Sequence, residues 1–326
     1  MTEKELKEIF SSFNNKRVLI IGDAMIDSYM WGKIERMSPE APVPVVEIER
    51  HETRLGGAAN CALNIKSLGA EVILCSVIGN DNNGKKFEEL MNEANLSTKG
   101  ILISNHRKTT VKTRVISEGK HQLRTDDEDR HPITIESQFL NNTERLFKDV
   151  SVLILQDYNK GVLTPKIITS LIKKAKKLNI PTIVDPKKDN FLLFKNCDIF
   201  KPNLKEIKEG MNIEFDDKND RELEKASSLL REKLNAECVL LTLSERGICI
   251  NTKKEFIHTP AYGDSVIDVS GAGDTVISVA SLLLAEGVNF NNISKISSLS
   301  GGIVCQKVGV VPIDKEELLT EAIKIF

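Results

Sequence analysis

The segment Asp268-Val-Ser-Gly-Ala-Gly-Asp274, which precedes an apolar stretch with helical spacing, combines residues that could seat an anion and remove a proton. Three small residues, Gly271, Ala272 and Gly273, let the backbone turn sharply and aim amide N–H groups outward at the positive end of a helix dipole. Asp274 adds a carboxylate that could take a proton from a hydroxyl group beside a bound phosphate. The pattern predicts phosphoryl transfer. The alternative is a tight turn in which Asp274 only complements the dipole of its own helix.

Alternating strands and helices must position this segment. Short apolar runs separated by helical spacing predict strands at 18–21, 72–78, 152–155, 182–184 and 239–243, with a short strand at Ile199. This α/β alternation predicts a mostly parallel sheet with helices on both faces, and ligands bind such sheets beyond the carboxyl ends of the strands. The polar residues that follow predicted strands, and that we expect to share one crevice, are Asp23, Asp157, Asp185, Asn203 and Ser244.

Two segments, at about 29–54 and 100–126, interrupt the alternation. Both show β-branched residues at every second position, and Glu118-Gly119 carries a hairpin signal. We expect one small antiparallel sheet that acts as a flap, hinged near Gly56 and Gly57, and that covers a substrate and excludes water. An edge sheet or a dimer surface is the alternative, and both are compatible with a flap. No repeat or linker marks a second domain, so residues 1–326 are expected to form one domain.

Composition narrows the class of protein. The chain has 326 residues and a formal net charge of −2, which argues against nucleic acid or an anionic membrane as the main partner. The six cysteines are scattered without metal-ligand spacing, as expected of free thiols in a reducing compartment. No signal peptide or apolar run of roughly 20 residues is present, so we expect a cytoplasmic protein that does not enter a membrane.

Several stretches together resemble the ribokinase-like (PfkB) family of carbohydrate kinases. Their order and spacing cover almost the whole chain, which makes the resemblance specific. The matching stretches are Gly22-Asp23 with Asp27, Gly56-Gly57 with Asn60, Asp157-Tyr-Asn-Lys160-Gly161, Lys201-Pro-Asn203-Leu-Lys-Glu206, Thr242-Leu-Ser244-Glu-Arg-Gly247, and Asp268 to Asp274. The resemblance implies a ribokinase-like fold with a small β lid, and transfer of a phosphoryl group from ATP to a sugar hydroxyl.

Within that family, three stretches look like the kinase portion of bacterial heptose-phosphate enzymes. They are Arg36-Met-Ser38-Pro-Glu40-Ala-Pro42-Val-Pro44-Val, Arg54 to Asn64, and Val184-Asp185-Pro186-Lys187. This finer resemblance implies phosphorylation of the anomeric hydroxyl of D-glycero-β-D-manno-heptose 7-phosphate, a step toward ADP-heptose and lipopolysaccharide. Many such kinases are fused to a nucleotidyltransferase with a His-x-Gly-His signature. Because this signature is missing here, we expect a kinase whose nucleotidyltransferase and phosphatase partners are separate polypeptides.

The family resemblance also implies roles for individual residues. Asp274 is the expected base, and the amides of Gly271, Ala272 and Gly273 are the expected anion hole. Asn203, Leu204, Lys205 and Glu206 match an element that organises Mg²⁺, largely through water, together with the nucleotide phosphates. For Glu206 the alternative is a solvated helix charge. The further residues expected to contact the nucleotide are Ser244, Glu245 and Gly247.

Asp268 matches the place where relatives bind a monovalent cation such as potassium, although a turn-forming carboxylate is an equal alternative. Asp23, Asp27 and Asn60, with the close-approach glycines Gly56 and Gly57, are expected to recognise sugar hydroxyls. Asp157 in the adjoining motif belongs to the same expected substrate site. The candidate cations for a distal sugar phosphate are Arg36, Lys112, Arg114, Lys160 and Lys187. Lys112 and Arg114 share one face of a flap strand, so both face the cleft or both face water.

Other functions remain open on sequence alone. One is a different sugar or nucleoside kinase of the same fold, and another is a catalytically silent sugar-binding regulator. A nicotinamide dehydrogenase is disfavoured because the first predicted strand lacks Gly-x-Gly-x-x-Gly at its end. Exposed edges on the flap strands predict a homodimer.

Overall fold

Strands and helices alternate along most of the chain, in the order that the apolar spacing predicted. The computed structural model describes residues 1–263 and 266–326. In chain order the strands are β1 (Arg17–Gly22), β2 (Ala24–Met37), β3 (Pro44–Gly57), β4 (Glu71–Gly79), β5 (Ile101–Ser104), β6 (Val111–Ser117), β7 (Lys120–Asp127), β8 (Val152–Gln156), β9 (Thr182–Asp185), β10 (Ile199–Phe200), β11 (Cys238–Thr242), β12 (Ile248–Thr252) and β13 (Phe256–Thr259).

The helices connect these strands and cover the sheet. They are α1 (Glu3–Ser12), α2 (Ala58–Ser67), α3 (Asn82–Glu93), α4 (Glu136–Arg145), α5 (Pro165–Lys177), α6 (Leu204–Met211), α7 (Asp220–Leu234), α8 (Ala272–Ala285), α9 (Phe290–Cys305) and α10 (Lys315–Ile325). Their starts follow local chemistry. Thr164, for example, caps α5 by accepting from the amide of Ile167, and Pro165 occupies the first helical position. Within the described residues, no helix is both long and apolar enough to cross a membrane.

A nine-stranded sheet forms the centre, in the order β13-β12-β11-β10-β9-β8-β1-β4-β5. Pairing is parallel from β5 to β11 and antiparallel for β12 and β13. Successive residues of β1 serve opposite layers: Val18 and Ile20 belong to one core, and Leu19 and Ile21 belong to the other. Helices α2, α8 and α9 bury the first core, and α5 and α7 bury the second. The expected sheet with helices on both faces is therefore present.

The flap is a separate four-stranded sheet in the order β3-β2-β6-β7. Its two hairpins, β2–β3 and β6–β7, are antiparallel, and a parallel pairing of β2 with β6 joins them. That pairing is parallel because the chain returns through the central sheet and enters the flap again from the same side. Glu118 and Gly119, both with positive φ, form the tight turn between β6 and β7, as the hairpin signal predicted.

The flap boundaries differ from those expected at 29–54 and 100–126. Its strands span 24–57 and 111–127. The expected start at residue 100 is wrong because Ile101–Ser104 is β5, which pairs in parallel with β4 at the edge of the central sheet. Alternation of apolar residues is the same in an edge strand and in a flap strand, so only the pairing partner distinguishes them.

Candidate active site

The N-terminus of α8 places Asp274 at the bottom of an opening lined by Gly271, Ala272 and Gly273. The three small residues are partly exposed, whereas Asp274 is only 7% exposed. Gly271 precedes the helix with φ +80°, a conformation that favours glycine. A Cβ on Gly271 would also lie 3.0 Å from Cγ1 of Val310 and 3.1 Å from Nδ2 of Asn60. Backbone conformation and close packing therefore both require the glycine at this position.

Three donors from three different elements hold the carboxylate of Asp274. Asn60, on α2, donates to Oδ2 at 2.7 Å. Tyr158 donates its hydroxyl to Oδ1 at 2.7 Å, and Gln156 donates its amide to the same oxygen at 3.1 Å. Burial raises the pKa of Asp274 to about 6, against the opposing hydrogen bonds from Asn60 and Tyr158. Above that pH the carboxylate is ionised and can accept a proton.

The amides at the start of α8 are the second part of the site. The amide of Thr275 closes the first helical turn on the carbonyl of Gly271 at 3.0 Å, and that of Ala272 makes a long 3.3 Å bond to Val269. The amide of Gly273 has no acceptor among the described residues. Such free amides at a helix N-terminus are where an anion binds.

Lys201 lies next to these amides, which we call the anion site. Its ammonium nitrogen is 3.6 Å from the position that a Cβ on Gly273 would occupy, and the residue is 3% exposed. The ammonium is paired with Oδ2 of Asp185 at 2.9 Å. The sequence motif contained Lys201 but gave it no role, and Asp185 was expected in the crevice without one. In the structure the side chain of Gln156 contacts both Asp185 and Asp274, and so links the Lys201–Asp185 pair to Asp274.

The Asn-x-x-Glu element forms a capping box at the start of α6. Asn203 accepts from the amide of Glu206 at 2.9 Å, and Oε2 of Glu206 accepts from the amide of Asn203 at 2.9 Å. The other Glu206 oxygen is paired with Lys187. Glu206 is buried, so the alternative of a solvated helix charge is wrong. Burial lowers the pKa of Lys187, but Asp185 and Glu206 outweigh it and raise the pKa above its usual value.

Two residues of the same element point elsewhere. Leu204 packs against the second core, and Lys205 is exposed, with its nearest carboxylate that of Glu209 at 3.8 Å. The expected nucleotide contacts of Leu204 and Lys205 stay a prediction. In the neighbouring turn, Ser244 has φ +54° and Gly247 has φ +88°, and Glu245 is exposed.

An isolated β-bridge places that turn beside the start of α6. Asn203 pairs in parallel with Thr242, at the end of β11, so the turn over Ser244 begins beside the capped end of α6. Gly247 cannot carry a side chain, because a Cβ would lie 2.5 Å from the amide of Ala261. The two segments expected to hold a nucleotide therefore adjoin each other.

Asp23 and Asp157 differ from the expectation of sugar ligands. Both are 1% exposed. Asp23 accepts from the amides of Tyr158, Lys160 and Val162 at 2.9 to 3.0 Å, so its oxygens are used by the loop that follows β8. Asp157 accepts from the amide of Asn159 and from Asn190.

Burial raises the pKa of Asp157 to about 7, and the neighbouring Asp23 contributes to the rise. Each carboxylate follows a strand, as expected, but it folds back on backbone amides instead of facing the opening. Their placement supports a structural role, in which they shape the loop that carries Tyr158 and Lys160.

The flap and this loop form a cluster of ion pairs. Arg114 pairs with Asp27 and lies over the ring of Tyr29. Lys112 and Lys160 share Glu128, at 3.2 and 2.7 Å.

Lys112 and Arg114 pair with carboxylates whose side chains are largely buried. This favours an orientation in which both cations face the cleft over one in which both face water. Burial opposes ionisation of Glu128, but its bonds with Lys160 and Arg130 lower its pKa to about 2. Arg36, farther along β2, is exposed.

Two glycines at the base of the flap are explained by close approach. A Cβ on Gly56 would collide with Oδ2 of Asp27. Gly57 has φ +59°, and a Cβ there would lie 2.6 Å from the carbonyl oxygen of Asp23. Asp27 therefore reaches its position only because Gly56 lacks a side chain.

Asp268 joins the loop before α8 to a second loop. It accepts from the amide of Ser270 at 2.9 Å and from that of Gly309 at 3.0 Å. Burial opposes ionisation, yet these hydrogen bonds keep the pKa of Asp268 below its usual value. Asp268 thus makes the predicted turn contact, and among the described residues each of its oxygens accepts from one backbone amide.

Comparison with known proteins gives the family. The family model of the pfkB family of carbohydrate kinases matches residues 15–316. The chain belongs to this family. It is similar to the "Bifunctional protein HldE" of Campylobacter jejuni subsp. doylei, with 39% identity over 310 residues, covering 95% of this chain and 65% of that protein.

Two solved structures share the fold. Escherichia coli phosphofructokinase-2 in complex with fructose 6-phosphate superposes with a TM-score of 0.78 at 18% identity, over 95% of this chain and 98% of that one. Arabidopsis thaliana ribokinase complexed with ribose and ATP gives a TM-score of 0.73 at 16% identity, over 95% and 99%. The predictions of a ribokinase-like fold and of an ATP-dependent sugar kinase are confirmed.

Proposed function

We propose that this pfkB-family kinase transfers the γ-phosphoryl group of ATP to the anomeric hydroxyl of D-glycero-β-D-manno-heptose 7-phosphate. The observation that carries the proposal is the buried Asp274 carboxylate, held by three donors beside the free amide of Gly273. Support for the particular sugar comes from the stretches that resemble heptose-phosphate enzymes and from the 39% identity with a protein named HldE.

In the proposed mechanism, the oxygen of the sugar hydroxyl attacks the γ-phosphorus, and Asp274 accepts the proton that this hydroxyl loses. Phosphoryl transfer mainly requires alignment of the reactants and stabilisation of charge on the moving oxygens. The amides of Gly271, Ala272 and Gly273 supply donors to those oxygens, and Lys201 adds a positive charge next to them. The bond between the β–γ bridging oxygen and phosphorus breaks, and ADP leaves with that oxygen.

The residues near α6 fit Mg²⁺ carried by the nucleotide rather than held by the protein directly. Within residues 1–263 and 266–326, no three His, Cys, Asp or Glu side chains are arranged to hold a metal. Both oxygens of Glu206 already have partners, in Asn203 and Lys187. Mg²⁺ keeps several waters in such sites, and Glu206 would hold those waters. When bound, the ion would neutralise charge on the phosphates. Asp268 has lone pairs left for a monovalent cation such as K⁺.

We propose that the flap cluster binds the distal phosphate of the sugar. Lys112 comes from the flap and Lys160 from the loop after β8, and Glu128 lies between them. A phosphate carries nearly two negative charges and can replace Glu128 as their partner. The exposed apolar side chains of the flap, among them Met37, Ile48 and Leu123, support pairing of two copies as a homodimer.

A coupled assay of ADP release with ATP and Mg²⁺ tests the function. The panel is heptose 7-phosphate, unphosphorylated heptose, fructose 6-phosphate, ribose and adenosine. We expect the highest kcat/KM with heptose 7-phosphate. Faster turnover of another member would support a different kinase of the family, and no sugar-dependent ADP release with any member would support the silent regulator. Asp274→Asn is the matched variant, and its activity should be lost with every substrate.

A further inference from the structure

The two oxygens of Asp274 are partnered unequally. Oδ1 receives two donors, the hydroxyl of Tyr158 at 2.7 Å and the amide of Gln156 at 3.1 Å. Oδ2 receives one, the amide of Asn60 at 2.7 Å. An ionised carboxylate oxygen has about two acceptor sites, so Oδ1 is filled and Oδ2 keeps one free. Oδ2 is therefore the oxygen on which a proton from a sugar hydroxyl can arrive.

Gln156 stands between two buried carboxylates. Its amide nitrogen contacts Oδ1 of Asp274 and Oδ2 of Asp185, each at 3.1 Å, and its carbonyl oxygen has no partner among the described residues. The reverse orientation of the amide would set its oxygen against both carboxylates, so only this one is stable. Gln156 is the last residue of β8, which makes its position as rigid as the sheet.

Tyr158 is fixed as firmly as Gln156, although it lies on a loop. Its backbone amide donates to the buried Asp23 at 2.9 Å, and the ammonium of Lys187 lies 5.6 Å from its ring centroid. Burial and the nearby Asp274 raise the pKa of the phenol well above its usual value, so the hydroxyl remains a donor. The buried Asp23 thus has a role in the site, because it fixes the backbone of Tyr158.

We propose that Tyr158 and Gln156 are positioning residues that hold Asp274 by Oδ1, so that Oδ2 faces the sugar hydroxyl and remains ionised at neutral pH. This inference rests on the proposed role of Asp274 as the base. In the transfer step the proton of the sugar hydroxyl moves to Oδ2, the sugar oxygen bonds to phosphorus, and ADP leaves. Tyr158 and Gln156 keep their own protons throughout.

Other charged and titratable groups also face Asp274. Tyr158→Phe leaves their own bonds intact, whereas Gln156→Leu also removes a bond to Asp185. Asp185 raises the pKa of Asp274 and Lys201 lowers it, whereas burial keeps the nearby Cys61 a neutral thiol. Lys187 lies beyond Tyr158, and its two carboxylate partners fix it there. A shift in the titration of Asp274 after loss of one hydroxyl therefore reports the lost hydrogen bond.

The test is the pH dependence of kcat/KM for Tyr158→Phe and Gln156→Leu. A hydrogen bond to a charged group favours the charged form, so removing one should raise the acidic midpoint by about one pH unit. Both variants should regain much of their activity at alkaline pH. Tyr262→Phe is the matched control, because it removes a tyrosine bond to Glu321 outside the site, and its profile should match that of the wild type. Equal loss of activity at every pH, or an unshifted midpoint, would overturn the proposal.

A second measurement does not depend on turnover. In protein labelled with ¹³C at aspartate side chains, the Asp274 carboxyl signal is the one that disappears in Asp274→Asn. Its midpoint should rise in Tyr158→Phe by the same amount as the kinetic one, and an unchanged midpoint would refute the positioning role. A wild type that releases no ADP with any sugar would instead refute the proposed function, while the NMR titration would still decide whether Tyr158 and Gln156 control Asp274.

Discussion

Replacing Asp274 with asparagine should abolish turnover and, at the same time, stabilise the fold in a pH-dependent way. Burial raises the pKa of this carboxyl from an ordinary 3.8 to about 6. Between those values the folded protein holds a proton that the unfolded chain has released, so stability falls as pH rises through this window. Above pH 6 the loss in free energy of unfolding is complete, and the pKa shift of Asp274 corresponds to a loss of about 3 kcal/mol.

The asparagine fits the same hydrogen bonds. Its carbonyl oxygen can accept from Tyr158 and Gln156, and its amide can donate to Asn60 once the Asn60 side chain turns over. That turn leaves the number of unpaired atoms unchanged: Oδ1 of Asn60, which has no partner among the described residues, gains a donor, and Nδ2 loses its acceptor. We therefore expect Asp274→Asn to gain most of the 3 kcal/mol at pH 8, which is about 4 °C in Tm for a chain of this length.

Urea unfolding at pH 8 and at pH 4.5 measures the effect, and ADP release measures turnover. The gain in unfolding free energy should be present at pH 8 and should largely disappear at pH 4.5, while kcat falls by about 10²- to 10⁴-fold. Asp185→Asn is the control, because it leaves the buried Lys201 without its partner and should destabilise the protein. A variant whose unfolding free energy equals that of the wild type at both pH values, or one that keeps the wild-type kcat, would contradict the reasoning.

Four further substitutions test separate parts of the site. Gly273→Ala has room for its Cβ and should leave Tm unchanged. Its methyl group takes up space in the anion site at the start of α8, however, and should lower kcat by about 100-fold. Gly271→Ala should cost about 1–2 kcal/mol in urea unfolding, because its φ is +80°. Asp23→Ala leaves three buried amides unpaired and should cost about 3 kcal/mol or more by the same measurement. Lys112→Met should raise KM about 10-fold for the phosphorylated heptose and leave that of unphosphorylated heptose unchanged.

Much of the fold could be predicted from the sequence, because buried strands and their helices have distinct apolar spacing. The strand at Val152–Gln156 was predicted almost to the residue. β5 was assigned to the flap because its alternation does not identify its neighbour, which only tertiary pairing decides.

The candidate site was predictable where its residues are consecutive in the chain. The glycine-rich motif predicted a helix start with Asp274 in its first turn, and α8 begins there. A carboxylate after a strand has two meanings: Asp23 was expected to face the sugar but binds the amides of an adjacent loop. Gln156 was missed because it reads as one more strand residue, and no spacing rule relates it to Asp274 in a distant helix. An Asx-turn pattern, Asp157-x-Asn159, was the one available sign that Asp157 bonds its own loop.

The charges of the site are arranged before any phosphate arrives. Lys201 is held by Asp185, and Lys187 by Asp185 and Glu206. Those carboxylates are themselves held by Gln156 and by the capping box of α6. Two long cationic side chains are thereby ordered by contacts within the protein, so ordering them does not oppose the transfer step. Fixed donors and charges stabilise a moving phosphoryl group more than mobile ones, because they need no reorganisation when charge develops. The buried Asp274 lowers stability for the same reason that it works as a base, since both follow from a carboxylate kept out of water.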